Sequence, residues 1–191
     1  DVIPQILKVV KKEKNRKNIT KPPSFCPVCG SKTMKEKDEA VIRCANTVSC
    51  DAQILGGLIH FGSKKSLNIE GLGEKQINQF YKLGIIKNFE DIFYINTHEK
   101  IIINLEGWGE LSFQNLIKSI EKSKSIDLNK FIFSLGIRYV GENLSNLIAK
   151  EFTTIDSFIK SAKDKERFFN IDGLGPKVIN SIYDYMQKKK N

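Results

Sequence analysis

The chain has 191 residues, a formal net charge of +9 and an isoelectric point of about 9.3. That length holds one or two units with real cores, and no apolar run approaches the roughly 20 residues of a membrane-spanning helix. The basic balance calls for an anionic partner, whether nucleic acid, an anionic surface or an acidic protein, unless it reflects only the general richness in Lys.

Val2, Ile3, Ile6, Leu7, Val9 and Val10 read as one strand with no sheet to join, so the start is expected to be the tail of a preceding domain. The missing initial Met supports the same expectation of a piece of something longer. Asp1 to Leu7 lack the basic region and long apolar core of a signal peptide. Lys8, Lys11, Lys12, Lys14, Arg16, Lys17 and Lys21 follow, opposed only by Glu13, and end at Pro22-Pro23. This stretch is either a phosphate-tracking arm or a solvated linker. Residues 1–24 are therefore read as a domain end and connector.

Residues 25–52 hold all four cysteines, in the order Cys26-x2-Cys29-x14-Cys44-x5-Cys50. The first pair forms a tight turn that aims two thiolates at one point. Val41 and Ile42 lie in an alternating stretch that suits a small β-hairpin, which returns the chain to deliver Cys44 and Cys50. Four soft ligands with no open position fit a structural Zn²⁺. Two disulfides, a redox Cys-x-x-Cys or an iron–sulfur cluster are the alternatives. Packing every cysteine into one window predicts a reduced, intracellular setting with a metal site. His60 and His98 are not needed as ligands.

From about Ala52 the pattern is helical, short and repeated, and residues 53–188 read as one helical domain. Four bends align: Ile69-Glu-Gly-Leu-Gly73, Leu105-Glu-Gly-Trp-Gly109, Ile137-Arg-Tyr-Val-Gly141 and Ile171-Asp-Gly-Leu-Gly175. Their last glycines are 36, 32 and 34 residues apart. After each bend an apolar stripe runs at helical spacing: Ile77, Phe80 and Tyr81; Phe113, Leu116, Ile117 and Ile120; Leu144, Leu147 and Ile148; Ile179, Ile182, Tyr183 and Met186. Gly84 is placed to end the first of these helices, and Pro176 to open the last. The predicted fold is mainly α: a small four-cysteine zinc finger, then four tandem helix-hairpin-helix motifs.

A glycine bend that opens a helix presents backbone N–H groups at the positive end of the helix dipole, which suits an anionic oxygen. Gly71, Gly107 and Gly173 are expected to take conformations closed to other residues. Gly73, Gly109, Gly141 and Gly175 would let a phosphate approach. Lys75 and Lys177 flank their bends, and Lys64, Lys65 and Arg138 are further candidates. The second bend has Glu110 and Leu111 where a Lys is expected, and the third has Tyr139 in place of the first glycine. Replacing Gly175 with a β-branched residue is therefore expected to weaken phosphate binding more than replacing Gly141. Contacts to phosphates carry no sequence information. The competing reading makes the bends mere turns in a protein–protein scaffold.

The cysteine spacing, the run His60-Phe61-x-Ser63-Lys64, the four bends and the stretch Ser134-Leu-Gly-Ile-Arg-Tyr-Val-Gly-Glu142 together resemble bacterial NAD⁺-dependent DNA ligases. Asp1-Val-Ile-Pro is similar to the last strand of their OB-fold. The resemblance covers essentially the whole chain. It implies double-stranded, nicked DNA as partner, gripped through the minor groove, with a role in replication and repair in the bacterial cytoplasm at the nucleoid. It also implies an enzyme that moves AMP from NAD⁺ to a lysine and then to a 5′-phosphate, with Mg²⁺. No Lys-x-Asp-Gly motif occurs here. The resemblance thus implies no catalytic residue in this chain, NAD⁺ and Mg²⁺ bound elsewhere in the enzyme, and adenylation, OB-fold and BRCT regions as the missing partners. A stand-alone DNA-binding accessory protein is the runner-up.

Overall fold

A computed structural model describes residues 7–8, 10, 21–36, 39–162 and 164–188. Most of the strand expected over 2–10 and most of the basic stretch fall outside the described residues; Leu7, Lys8 and Val10, which are described, lie in no strand. The chain divides into two compact units, residues 1–46 and 47–191.

In the first unit, β1 (Thr33–Lys35) and β2 (Ile42–Cys44) pair antiparallel, with Thr33 opposite Cys44 and Lys35 opposite Ile42. This is the hairpin that the alternation at Val41 and Ile42 predicts. Phe25, Val28, Met34, Val41 and Ile42 are all exposed, and a sheet this small has almost no apolar core of its own.

The second unit is helical. It begins with α1 (Asp51–Gly62) and α2 (Glu74–Lys82), followed by a 3₁₀ run, Glu90–His98, that passes directly into α3 (Glu99–Ile102). Then come α4 (Glu110–Ser123), α5 (Leu128–Ser134), α6 (Glu142–Glu151), α7 (Ile155–Ser161), α8 (Glu166–Phe169) and α9 (Pro176–Lys188). Local sequence sets the ends. Gly84 (φ +72) closes α2, with its N–H on the Tyr81 carbonyl (3.0 Å) and the Ile85 N–H on that of Phe80 (2.9 Å), a Schellman motif. Thr154 caps α7, its hydroxyl accepting from the Ser157 N–H. Asp91, in the first turn of the 3₁₀ run, accepts from the N–H groups of Lys87 and Asn88 just ahead of it.

Two separate cores form. Leu58, Phe61, Leu72, Ile77, Phe80, Ile92, Ile102, Phe113, Leu116 and Ile120 pack the first, around bends one and two. Ile132, Val140, Ile148, Phe152, Phe158, Phe168, Leu174, Ile179 and Ile182 pack the second, around bends three and four. The stripes are core faces, with one exception. On α9 it is Tyr185, not Tyr183, that packs on the second core; the Tyr183 ring instead lies under the Lys165 ammonium, 4.3 Å away. A residue at i+4 and its neighbour at i+6 flank the same stripe, so spacing alone does not choose between them.

His60 joins the two halves of the helical unit. From α1 its Nε2 lies 2.7 Å from the Phe133 carbonyl of α5, and its ring meets that of Phe133 edge-on at 4.8 Å. Gly136 (φ +63) lies directly beneath: a Cβ there would sit 3.3 Å from His60 Cδ2.

Candidate zinc centre and nucleic-acid interface

The Cys26–Cys29 turn is closed by the Cys26 N–H on the Ser31 carbonyl (2.7 Å) and the Gly30 N–H on that of Cys26 (2.9 Å). Cys44 ends β2, and Cys50 is the N-cap residue of α1. The four Sγ atoms lie within 4.8 Å of one another, with Cys29 and Cys44 at 3.5 Å. None forms a disulfide. Sulfurs about 2.3 Å from a tetrahedral zinc are about 3.8 Å apart, so the set fits one closed Zn²⁺ site. The N–H groups of Cys29 and Val28 point at the Cys26 sulfur and lower its pKa, toward the thiolate that a metal requires. The Asn46 side-chain amide approaches Cys29 Sγ at 4.0 Å, a second-sphere contact that the cysteine spacing does not reveal. The cysteines therefore form a structural zinc site.

The four bends share one geometry. In each, the fourth residue donates back to the first: Leu72 to Ile69 (3.2 Å), Trp108 to Leu105 (3.0 Å), Val140 to Ile137 (2.9 Å) and Leu174 to Ile171 (3.2 Å). The third residue is left-handed, with φ +86 at Gly71, +81 at Gly107, +66 at Tyr139 and +90 at Gly173. A left-handed third residue with this bond is the type II pattern, which normally demands glycine. Tyr139 takes the conformation without one, with the Arg138 guanidinium 4.9 Å over its ring. The third bend is thus as well formed as the others, which the loss of its first glycine obscures. The apolar residue before each final glycine plugs inward: Leu72, Val140 and Leu174 are buried and Trp108 is half-buried.

The final glycines precede α2, α4, α6 and α9. Gly73, Gly141 and Gly175 are exposed, as are Gly71, Gly107 and Gly173. Among the described residues, no hydrogen bond within the chain takes up the N–H of any of these six. Gly73 and Gly141 are in ordinary extended conformation, and a Cβ on Gly141 or Gly175 would meet nothing within 4 Å. Their own fold therefore does not require glycine. Bend two differs. The Gly109 N–H donates to Ser112 Oγ (3.0 Å), and that hydroxyl donates back to the Gly109 carbonyl (2.9 Å). Ser112, three residues past the glycine, was the available signal for this self-capping. Trp108 Nε1 donates to Gln79 of α2 at 3.2 Å and ties bend two to the helix after bend one.

The candidate cations are dispersed. Lys75 and Lys177 are exposed at the starts of α2 and α9, and Lys64 is exposed on the loop after α1. Arg138 is half-buried against Tyr139. Lys65 reaches across to Glu142 at the start of α6 (2.9 Å). No helix is long and apolar enough to cross a membrane among the described residues.

These two elements define a zinc-finger and helix-hairpin-helix module. Residues 25–52 match the family profile of the NAD-dependent DNA ligase C4 zinc finger domain, and residues 130–191 that of the helix-hairpin-helix motif. The chain is 38% identical to a DNA ligase of Rickettsia bellii over all of its own length and 30% of that protein's. It is 40% identical to one of Natranaerobius thermophilus (98% of this chain, 28% of that one) and 42% identical to one of Gluconobacter oxydans (100% and 29%). The chain thus spans less than a third of the length of these relatives. It corresponds to the zinc-finger and helix-hairpin-helix region of the NAD-dependent DNA ligases.

Proposed function

We propose that this region grips duplex DNA through its backbone phosphates, without reading sequence, and holds the double helix for a ligase that seals nicks. The observation that carries this reading is the set of exposed, unused amides at Gly71, Gly73, Gly107, Gly141, Gly173 and Gly175. Those of Gly73, Gly141 and Gly175 lie at the positive ends of α2, α6 and α9, where a phosphate oxygen completes them. Gly109 contributes its bend but not its amide, which Ser112 occupies. Lys64, Lys65, Lys75, Arg138 and Lys177 add charge around these points.

In this proposal residues 1–24 are the end of an OB-fold and a basic linker, 25–52 are the zinc finger, held by Cys26, Cys29, Cys44 and Cys50, and 53–188 are the DNA-binding domain. Adenylation from NAD⁺, the Mg²⁺ chemistry and the catalytic residues belong to other regions of the enzyme, which works on nicked DNA in the bacterial cytoplasm at the nucleoid. Matches to DNA ligases along essentially all of this chain favour this reading over a stand-alone accessory protein or a protein scaffold.

Salt titration of binding to a labelled nicked duplex tests it. Each neutralised phosphate contributes about −0.9 to the slope of log K against log salt, so three engaged bends with their cations predict a slope of about −3 or steeper. A flat response, or no binding, overturns the reading and leaves a protein scaffold.

A further inference from the structure

Bends one and four carry their own lysine two residues past the final glycine, Lys75 and Lys177. Bend three has Asn143 there, and so has no such cation of its own. The structure supplies one from elsewhere. Lys65 belongs to the loop between α1 and bend one, yet its Nζ lies 2.9 Å from Glu142 Oε1, on the first residue of α6 and directly after Gly141. That loop is folded tightly. The Asn68 N–H donates to the Ser63 carbonyl (2.9 Å), as does the Ser66 N–H (3.0 Å), and Ser63 and Ser66 bond through their hydroxyls (3.3 Å). Three residues upstream of this loop, His60 is held on the Phe133 carbonyl. The loop therefore starts from the point where the two halves of the helical unit join.

We propose that Lys65 is the phosphate-flanking cation of the third bend, delivered by the first half of the helical unit to the second, and that Glu142 holds its place until DNA arrives. The inference rests on the phosphate-gripping reading above. Lys65 and Glu142 keep 75% and 50% of their side-chain surface in solvent. An ion pair so exposed holds weakly and is screened by salt, so the ammonium exchanges readily from the carboxylate to a phosphate oxygen at the Gly141 amide. Bend three thereby needs both halves of the domain, and the two halves engage one duplex as a unit.

A double-mutant cycle by salt titration on a nicked duplex tests this. Lys65→Ala is expected to flatten the slope by about 0.9, one phosphate. In a Gly141→Val background, Lys65→Ala is expected to change the slope no further, because the phosphate has already been pushed away. In a Gly73→Val background its effect should persist in full. Lys65 and Gly141 are both exposed, and Gly141 is extended with open space at its Cβ, so these variants keep the fold. Coupling of Lys65 to Gly73 instead, or to neither glycine, refutes the assignment. Absence of salt-dependent binding by the unmodified chain refutes the DNA reading itself, a distinct result.

Discussion

Gly173 and Gly175 stand two residues apart in one bend, yet they should fail in opposite ways. Gly173 has φ +90, and a Cβ there would lie 3.3 Å from Leu147 Cδ2. Forcing valine into that left-handed position costs on the order of 1–3 kcal/mol, before the leucine has moved. For a chain of this size the loss lowers the melting temperature by roughly 2–12 °C. Gly175 has no positive φ, and a Cβ on it meets nothing within 4 Å. Gly175→Val should leave stability within about 0.5 kcal/mol, since the residue before Pro176 is held in the extended region that valine favours. Its cost falls on binding. A hydrogen bond to a charged group is worth about 1.5–3 kcal/mol, so losing one phosphate contact weakens the complex by about 10- to 150-fold. Thermal melting followed by circular dichroism reads the first effect, and fluorescence anisotropy with a labelled nicked duplex at fixed salt reads the second. Because Tyr139 preserves the third bend, Gly141→Val should behave like Gly175→Val, whereas the sequence pattern ranks it as milder. Unchanged affinity with unchanged stability in Gly175→Val would refute the claim that these amides touch phosphate.

Two further outcomes follow from the cores. Removing zinc with a strong chelator, or Cys29→Ser, should unfold the module of residues 25–46, whose order depends on metal binding of on the order of 10 kcal/mol; far-ultraviolet circular dichroism should keep most of its helical signal, since neither helical core contains a cysteine. Phe158 is fully buried in the second core, and Phe158→Ala should cost about 3–5 kcal/mol; denaturant unfolding should then show the second half melting before the first.

Much of the architecture was legible because it is written locally. The Cys-x2-Cys turn, the glycine that closes α2 and the proline that opens α9 each act within a few residues. Stripes such as Phe113, Leu116 and Ile120 announce a helix and its buried face together. Reading failed where two positions share a face, as with Tyr183 and Tyr185, and where a residue departs from the usual composition of its turn. Tyr139 adopts a conformation that statistics assign to glycine, with the arginine stacked on its ring and the surrounding core holding the bend in place. Ser112 was visible but silent: a serine near a helix start has many roles, and only the 3.0 Å contact shows that it takes the Gly109 amide.

By itself the sequence determined the metal ligands, the number of bends and their order, because thiolate spacing and turn chemistry are properties of short segments. Only the tertiary structure decided that the helical unit has two cores, that His60 of α1 rests on Phe133 of α5, and that Lys65 pairs with Glu142 at the start of α6. Those partners are 73 and 77 residues apart, and nothing periodic in a chain specifies which surfaces meet when two separately packed halves come together.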